Sequence, residues 1–151
     1  MVDKSIVGKE VGSGYMEVER GKVMEFARAI LDENEHYFKD PAPIAPPTFT
    51  MAGAHWPQVE GAGSGMGEAF RALGLDLLRV LHAGQEFEYL GEIRAGDKLT
   101  STSRIADIYE KEGKKGGTLL FVVSETTFTN QSGEDVLLSR NTIVQTSKAA
   151  S

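Results

Sequence analysis

Between Arg20 and Leu31 the apolar residues Val23, Phe26, Ala27, Ile30 and Leu31 recur at i, i+3, i+4, i+7 and i+8. That spacing collects them on one face of a helix and leaves Glu25 and Arg28 outside it. A helix is therefore expected over Arg20 to Leu31, ended by Asp32-Glu33-Asn34. Ahead of it, Gly12 to Val18 alternates weakly and reads as a strand. Four of the five prolines then fall between Pro41 and Pro47. They fix an extended segment that can be neither a regular helix nor a central strand.

Thr48 follows the double proline and is placed to cap a second helix. That helix, Thr48 to Trp56, carries no charge, and a helix apolar on all sides is expected to be buried. Pro57 stops it. Glu60 to Gly67 contains four glycines and reads as a flexible loop. Glu68 to Leu73 reads as a short helix with Gly74 as its stop. The remainder is stranded: Val80 to Leu90, Lys98 to Glu110, Gly117 to Thr129 and Val136 to Thr146. Gly113-Lys-Lys-Gly-Gly117 and Asn130-Gln-Ser-Gly133 are hairpin signals. Four consecutive strands joined by short turns predict an antiparallel sheet. The apolar helix needs something to wrap it, and a curved antiparallel sheet around one central helix buries both. The expected class is α+β with the hot-dog architecture; a sandwich accommodates two leading helices less well.

The chain has 151 residues, 40% of them hydrophobic and 25% charged. That suits one globular domain over 1–151, able to bury about two-thirds of its unfolded surface. The formal net charge of −6 argues against nucleic acid and against anionic membranes. No membrane span and no signal-peptide core is visible. With no cysteine there is no disulfide, thiolate metal site or cysteine nucleophile. Cytoplasmic residence is the default reading.

Asp32-Glu-Asn34-Glu-His36-Tyr37 offers a carboxylate and an imidazole four residues apart, a spacing open to general acid–base chemistry. The same residues also serve as a helix terminator followed by a surface histidine, and spacing alone leaves both readings standing. His55 and His82 show no metal-ligand spacing, and no metal or other cofactor is expected. Gly61 to Gly67 lacks the Lys-Ser/Thr of a phosphate loop. Lys111, Lys114 and Lys115 cluster at one hairpin, either as a solvated turn or as a contact for a carrier phosphate.

Several runs occur together and in order: Phe26-Ala-Arg-Ala-Ile-Leu-Asp32-Glu-Asn34, Ile44-Ala-Pro-Pro-Thr-Phe49, Leu81-His-Ala-Gly-Gln85-Glu-Phe-Glu-Tyr89, Ile93-Arg-Ala-Gly-Asp97 and Gly116-Gly-Thr118. From about Gly8 to Thr146 the chain resembles the MaoC-like hydratases and dehydratases. The later runs resemble one branch, which holds N-terminal hot-dog domains of double-hot-dog hydratases and the substrate-binding subunits of heterodimeric (3R)-hydroxyacyl-thioester dehydratases. The resemblance implies addition of water to, or its removal from, a trans-2-enoyl thioester of CoA or acyl carrier protein. Active members use Asp-x-Asn-Pro-x-His after the first helix. A glycine N–H at the start of the central helix polarises the thioester carbonyl.

Carried over by position, Asp32 and Asn34 match, Glu35 replaces the proline, and Tyr37 stands where the histidine is expected, with His36 one residue early. A phenol with an ordinary pKa near 10 is a poor base at neutral pH. The glycine position is Pro47, which has no N–H to donate. Loss of one such donor costs roughly 100- to 1,000-fold. The resemblance and its departures together imply a subunit that holds the acyl chain while a partner hot-dog subunit supplies Asp and His. The catalytic positions Asp32, Asn34 and Tyr37 are then remnants. Pro47, Thr48, Phe49, Met51, Ala52 and His55 would line the acyl channel, with core packing as the alternative role for this helix. The partners implied are an acyl-CoA or acyl-carrier-protein thioester and a second hot-dog chain. Three other readings are a self-sufficient homodimeric hydratase using Asp32 with His36 or Tyr37, a non-enzymatic acyl-thioester binding module, and, least supported, a thioesterase, which needs a carboxylate that the central helix lacks.

Overall fold

The computed structural model describes residues 4–55, 70–71, 73–114 and 116–147. A short 3₁₀ turn, Lys4–Ile6, leads into strand β1, Glu10–Glu17. Helix α1 spans Arg20–Ala29 and α2 spans Glu35–Lys39. A 3₁₀ segment, Phe49–His55, follows the prolines, and a 3₁₀ turn, Leu77–Arg79, leads into β2, Val80–Tyr89. Strands β3, Lys98–Glu112, β4, Thr118–Thr129, and β5, Asp135–Gln145, complete the chain. The five strands form one curved antiparallel sheet in the order β1-β3-β4-β5-β2, the hot-dog arrangement.

β3, β4 and β5 are successive hairpins, joined where glycines adopt the left-handed conformation those turns need. Gly116 and Gly117 have φ 84° and 85°, and Gly133 has φ 81°. Asn130 fastens the second turn: its Oδ1 accepts from the backbone N–H groups of Ser132 and Glu134. β2 departs from the expected consecutive hairpins. It pairs with β5 at the far edge of the sheet, while β3 lies beside β1. The segment 90–97 must therefore carry the chain from edge strand β2 past β5 and β4 to β3, which no hairpin turn can do. β1 and β2 each pair on one side only among the described strands.

α1 buries the first part of the face its periodicity gives, Val23 and Ala27 with Phe26 packed against the same cluster, but it ends at Ala29, and Ile30 and Leu31 beyond it are exposed. That cluster joins α1 and α2 to Phe49, Ile93, Leu99 and Leu137. A second cluster, at the other end of the sheet, contains Ile105, Ile108, Leu120, Val122 and Ile143 under Leu73. Near Leu73 the expected stop is present. Gly74, at φ 61°, donates its N–H to the Arg71 carbonyl, and the Leu75 N–H reaches Phe70. Residues 68, 69 and 72 of the expected 68–73 helix, the 60–67 loop, Trp56 and Lys115 lie outside the described residues.

The central helix differs from expectation. Its described part is a 3₁₀ segment, and it is not buried on all sides. Phe49 and Thr50 are buried, whereas Met51 is 42% exposed. Ala52 and Gly53 are half-buried. Among the described residues no helix is long and apolar enough to cross a membrane.

Candidate active-site region

The loop after α1 is shaped by helix termination. The helix closes with Leu31 in the left-handed region at φ 59°, a conformation that costs a β-carbon-bearing residue about 1 kcal/mol. The Leu31 N–H bonds the Arg28 carbonyl, and the Asp32 N–H bonds that of Ala27, at 3.1 and 2.9 Å. Asp32 then uses Oδ1 to accept the Asn34 N–H at 3.0 Å. Asn34 uses its own Oδ1 to accept the His36 N–H at 3.1 Å and so caps α2. Asp32 and Asn34 are therefore both engaged in holding the turn, as the helix-terminating reading has it. The short α2 was missed by periodicity, and Asn34 followed by Glu35 is the capping signal that marks it.

His36 is not a free surface histidine. Its Nε2 accepts the Ile44 N–H at 2.8 Å, and its Nδ1 lies 3.4 Å from Asp40 Oδ2. With Nε2 as the acceptor, the ring presents its Nδ1–H toward the carboxylate. Its lone pair is committed to the proline segment. The Tyr37 ring lies 5.4 Å from the His36 ring, centroid to centroid, and is buried in the core. Burial, and then the nearby negative charge of Asp32, push its phenol above the usual tyrosine range. The His36 Nε2 lone pair is thus taken by a backbone N–H, and the Tyr37 phenol is held in its protonated form by burial.

The proline segment is bound firmly to the sheet side of the molecule. The Ala45 N–H bonds the Ile93 carbonyl at 2.8 Å, and the Ala95 N–H bonds that of Pro43 at 2.9 Å. Pro43 and Pro46 are fully buried. Pro47 is exposed at the mouth of the following 3₁₀ segment. The Tyr89 hydroxyl donates to its carbonyl at 2.7 Å, which ties the start of that segment to edge strand β2. Burial raises the Tyr89 phenol, so it keeps its proton. Tyr89 closes the Leu81–Tyr89 run, and nothing in the sequence alone marks this contact.

Of the residues expected along a channel, Pro47, Thr48 and Met51 are exposed and Ala52 is half-buried, all on one short stretch. Phe49 lies wholly within the core, edge-on to Phe26 with ring centroids 5.6 Å apart, so it backs this surface rather than facing outward. The side chain of His55 lies outside what is described. Lys111, from the basic hairpin, sits 5.2 and 5.4 Å over the stacked rings of Tyr109 and Phe121. Among the described residues no three His, Cys, Asp or Glu side chains converge as metal ligands would.

Residues 5–139 match the family described as the FAS1-like, dehydratase domain region. The chain belongs to that family, and its fold places it among the MaoC-like hot-dog dehydratases. A UPF0336 protein of Thermobifida fusca is 36% identical, over 85% of this chain and 82% of its own length. Another, from Saccharopolyspora erythraea, is 33% identical over 95% and 90%. Among solved structures, the HadBC (3R-hydroxyacyl-ACP dehydratase) complex of Mycobacterium tuberculosis is similar, with TM-score 0.67 and 25% identity over 86% of this chain and 89% of that one. The ChsH1-ChsH2 complex of the same organism shares the fold, with TM-score 0.73 and 16% identity over 95% and 87%.

Proposed function

We propose that this chain is the acyl-holding, non-catalytic subunit of an R-specific enoyl-thioester hydratase or (3R)-hydroxyacyl-thioester dehydratase. A partner hot-dog subunit supplies the Asp and His that handle water. The observation that carries this reading is Pro47. At the position where the resemblance calls for an N–H donor there is a residue that has none, and its carbonyl is taken by the Tyr89 hydroxyl. The commitment of His36 to the Ile44 N–H and the burial of Tyr37 support the same conclusion. They also weigh against a self-sufficient homodimer.

The chain contributes surface rather than chemistry. Pro47, Thr48, Met51 and Ala52 form the wall for the acyl chain, with Phe49 behind them. Edge strand β2 is open on one side and would extend into the partner's sheet, which also covers an edge that would otherwise invite aggregation. The ligand is a CoA or carrier-protein thioester.

The test is reconstitution. Mixed with a family subunit that carries an intact Asp and His, this chain should form a stable hetero-oligomer that hydrates a trans-2-enoyl thioester. Asp32→Asn in this chain should leave kcat unchanged, whereas the same change in the partner should abolish turnover. A hundredfold fall in kcat from Asp32→Asn here would overturn the proposal.

A further inference from the structure

The inner face of the sheet is not apolar throughout. Between its two apolar clusters runs a polar band. Ser103, Thr126 and Ser139 lie in register across β3, β4 and β5. Ser124, Asn141 and Gln85 lie in register across β4, β5 and β2. Ser103 and Thr126 hydroxyls pair at 2.8 Å. At the β2 end the groups form a directed chain. The Asn141 Nδ2–H donates to Gln85 Oε1 at 2.9 Å, and the Gln85 Nε2–H donates to Ser139 Oγ at 2.6 Å. In this order each amide offers its N–H along the chain toward Ser139. The order leaves Asn141 Oδ1 as a fully buried acceptor with no partner among the described residues. Asn141 is only 8% exposed and Ser139 9%.

A polar row in a sheet interior is destabilising unless satisfied, and an unmet buried acceptor costs more than the bond it could have made. The band ends at Gln85, on the open edge strand, so it can be reached from the side where a partner sheet and a shared ligand would lie.

We propose that Gln85, Ser139 and Asn141 form a polar subsite whose Asn141 carbonyl accepts a hydrogen bond from an O–H or N–H carried by the bound thioester. This rests on the acyl-holding reading above. Two parts of such a ligand present that donor: a hydroxyl on the acyl chain and the amide N–H groups of the pantetheine arm. Asn141 Oδ1 can only accept, so a keto group or an ester oxygen would not be held there.

The experiment is calorimetric titration of the full chain in its reconstituted complex with (3R)-3-hydroxyacyl-CoA, saturated acyl-CoA of equal length, and free CoA. Asn141→Leu conserves bulk and removes the acceptor, and it should not lower thermal stability. Gln85→Leu, at the accessible edge, removes the group that orients Asn141 and serves as the second variant. About tenfold weaker binding of the hydroxyacyl ligand alone supports the hydroxyl as donor. About tenfold weaker binding of all three supports the pantetheine amide. Unchanged affinity for every ligand in both variants overturns the subsite and leaves the acyl-holding reading intact. If the wild-type complex binds none of the three, that reading falls and the subsite with it.

Discussion

Glu125 on β4 offers a test of how the outer face of the sheet is held. Its side chain is 6% exposed and lies between Arg104 of β3 and Arg140 of β5. Oε1 accepts from Arg104 Nε at 2.9 Å and from its Nη2, and Oε2 accepts from Arg140 Nη2 at 2.8 Å. Arg140 also reaches Glu86 on β2 at 3.3 Å. One row thus links four strands with alternating charge. Hydrogen bonds to charged groups contribute about 1.5–3 kcal/mol each when buried. Here both guanidinium groups are about half exposed, so water takes over part of their interaction and the total is discounted toward surface values. Glu125→Ala should then cost about 2 kcal/mol, because it also leaves two like charges flanking β4. In a domain of this size that is a fall of about 4–8 °C in Tm. Glu125→Gln should cost about half as much. The Arg104 hydrogen bond, with Arg140 adding to it, lowers the carboxyl's pKa in the folded protein. Its stabilisation is therefore complete above the ordinary glutamate pKa of about 4.3 and is lost as pH falls through the lower folded value. Urea denaturation of wild type and Glu125→Gln should show a stability gap that is constant from pH 7 to about pH 5 and narrows below about pH 4. Equal stability at pH 7, or a gap that persists at acid pH, would refute the reasoning.

Leu31→Gly should raise stability by about 0.5–1 kcal/mol, read as an increase in Tm, because a side chain 86% exposed at φ 59° gives up little packing and escapes left-handed strain. Gly117→Ala should lower stability by about 1–2 kcal/mol in the same assay. Its φ is 85°, and an added β-carbon meets the Ser147 side chain, so Ser147→Gly should rescue only part of the loss. His36→Ala should lower Tm through loss of the Ile44 contact, by about 1–2 kcal/mol, yet leave kcat of the reconstituted complex unchanged. A matched fall in kcat would give His36 a catalytic role.

The parts of the fold that were legible in the sequence are those written locally. The α1 face, the hairpin glycines and the alternating strands follow from residues a few positions apart. The place of β2 was not legible, because its partner β5 is distant in sequence and its neighbour in sequence, β3, lies across the sheet. α2 was hidden because five residues are too few to display a helical period. At the site, the missing donor at Pro47 needed only covalent structure to be read. The roles of His36 and Tyr89 needed coordinates, since the Ile44 N–H and the Pro47 carbonyl are backbone groups that sequence does not single out. The Gln85–Ser139–Asn141 cluster joins β2 to β5 across more than fifty residues, and small polar residues within strands otherwise read as solvent-facing.

The most direct measurement is the rate at which the purified chain alone hydrates a short trans-2-enoyl-CoA, followed by loss of the conjugated-thioester absorbance, with Asp32→Asn as control. A rate at the uncatalysed background, identical in wild type and variant, is expected from Pro47, His36 and Tyr37 as they stand. Enzymatic turnover by the isolated chain, abolished by Asp32→Asn, would contradict the non-catalytic reading and require an oxyanion donor other than the one Pro47 removes.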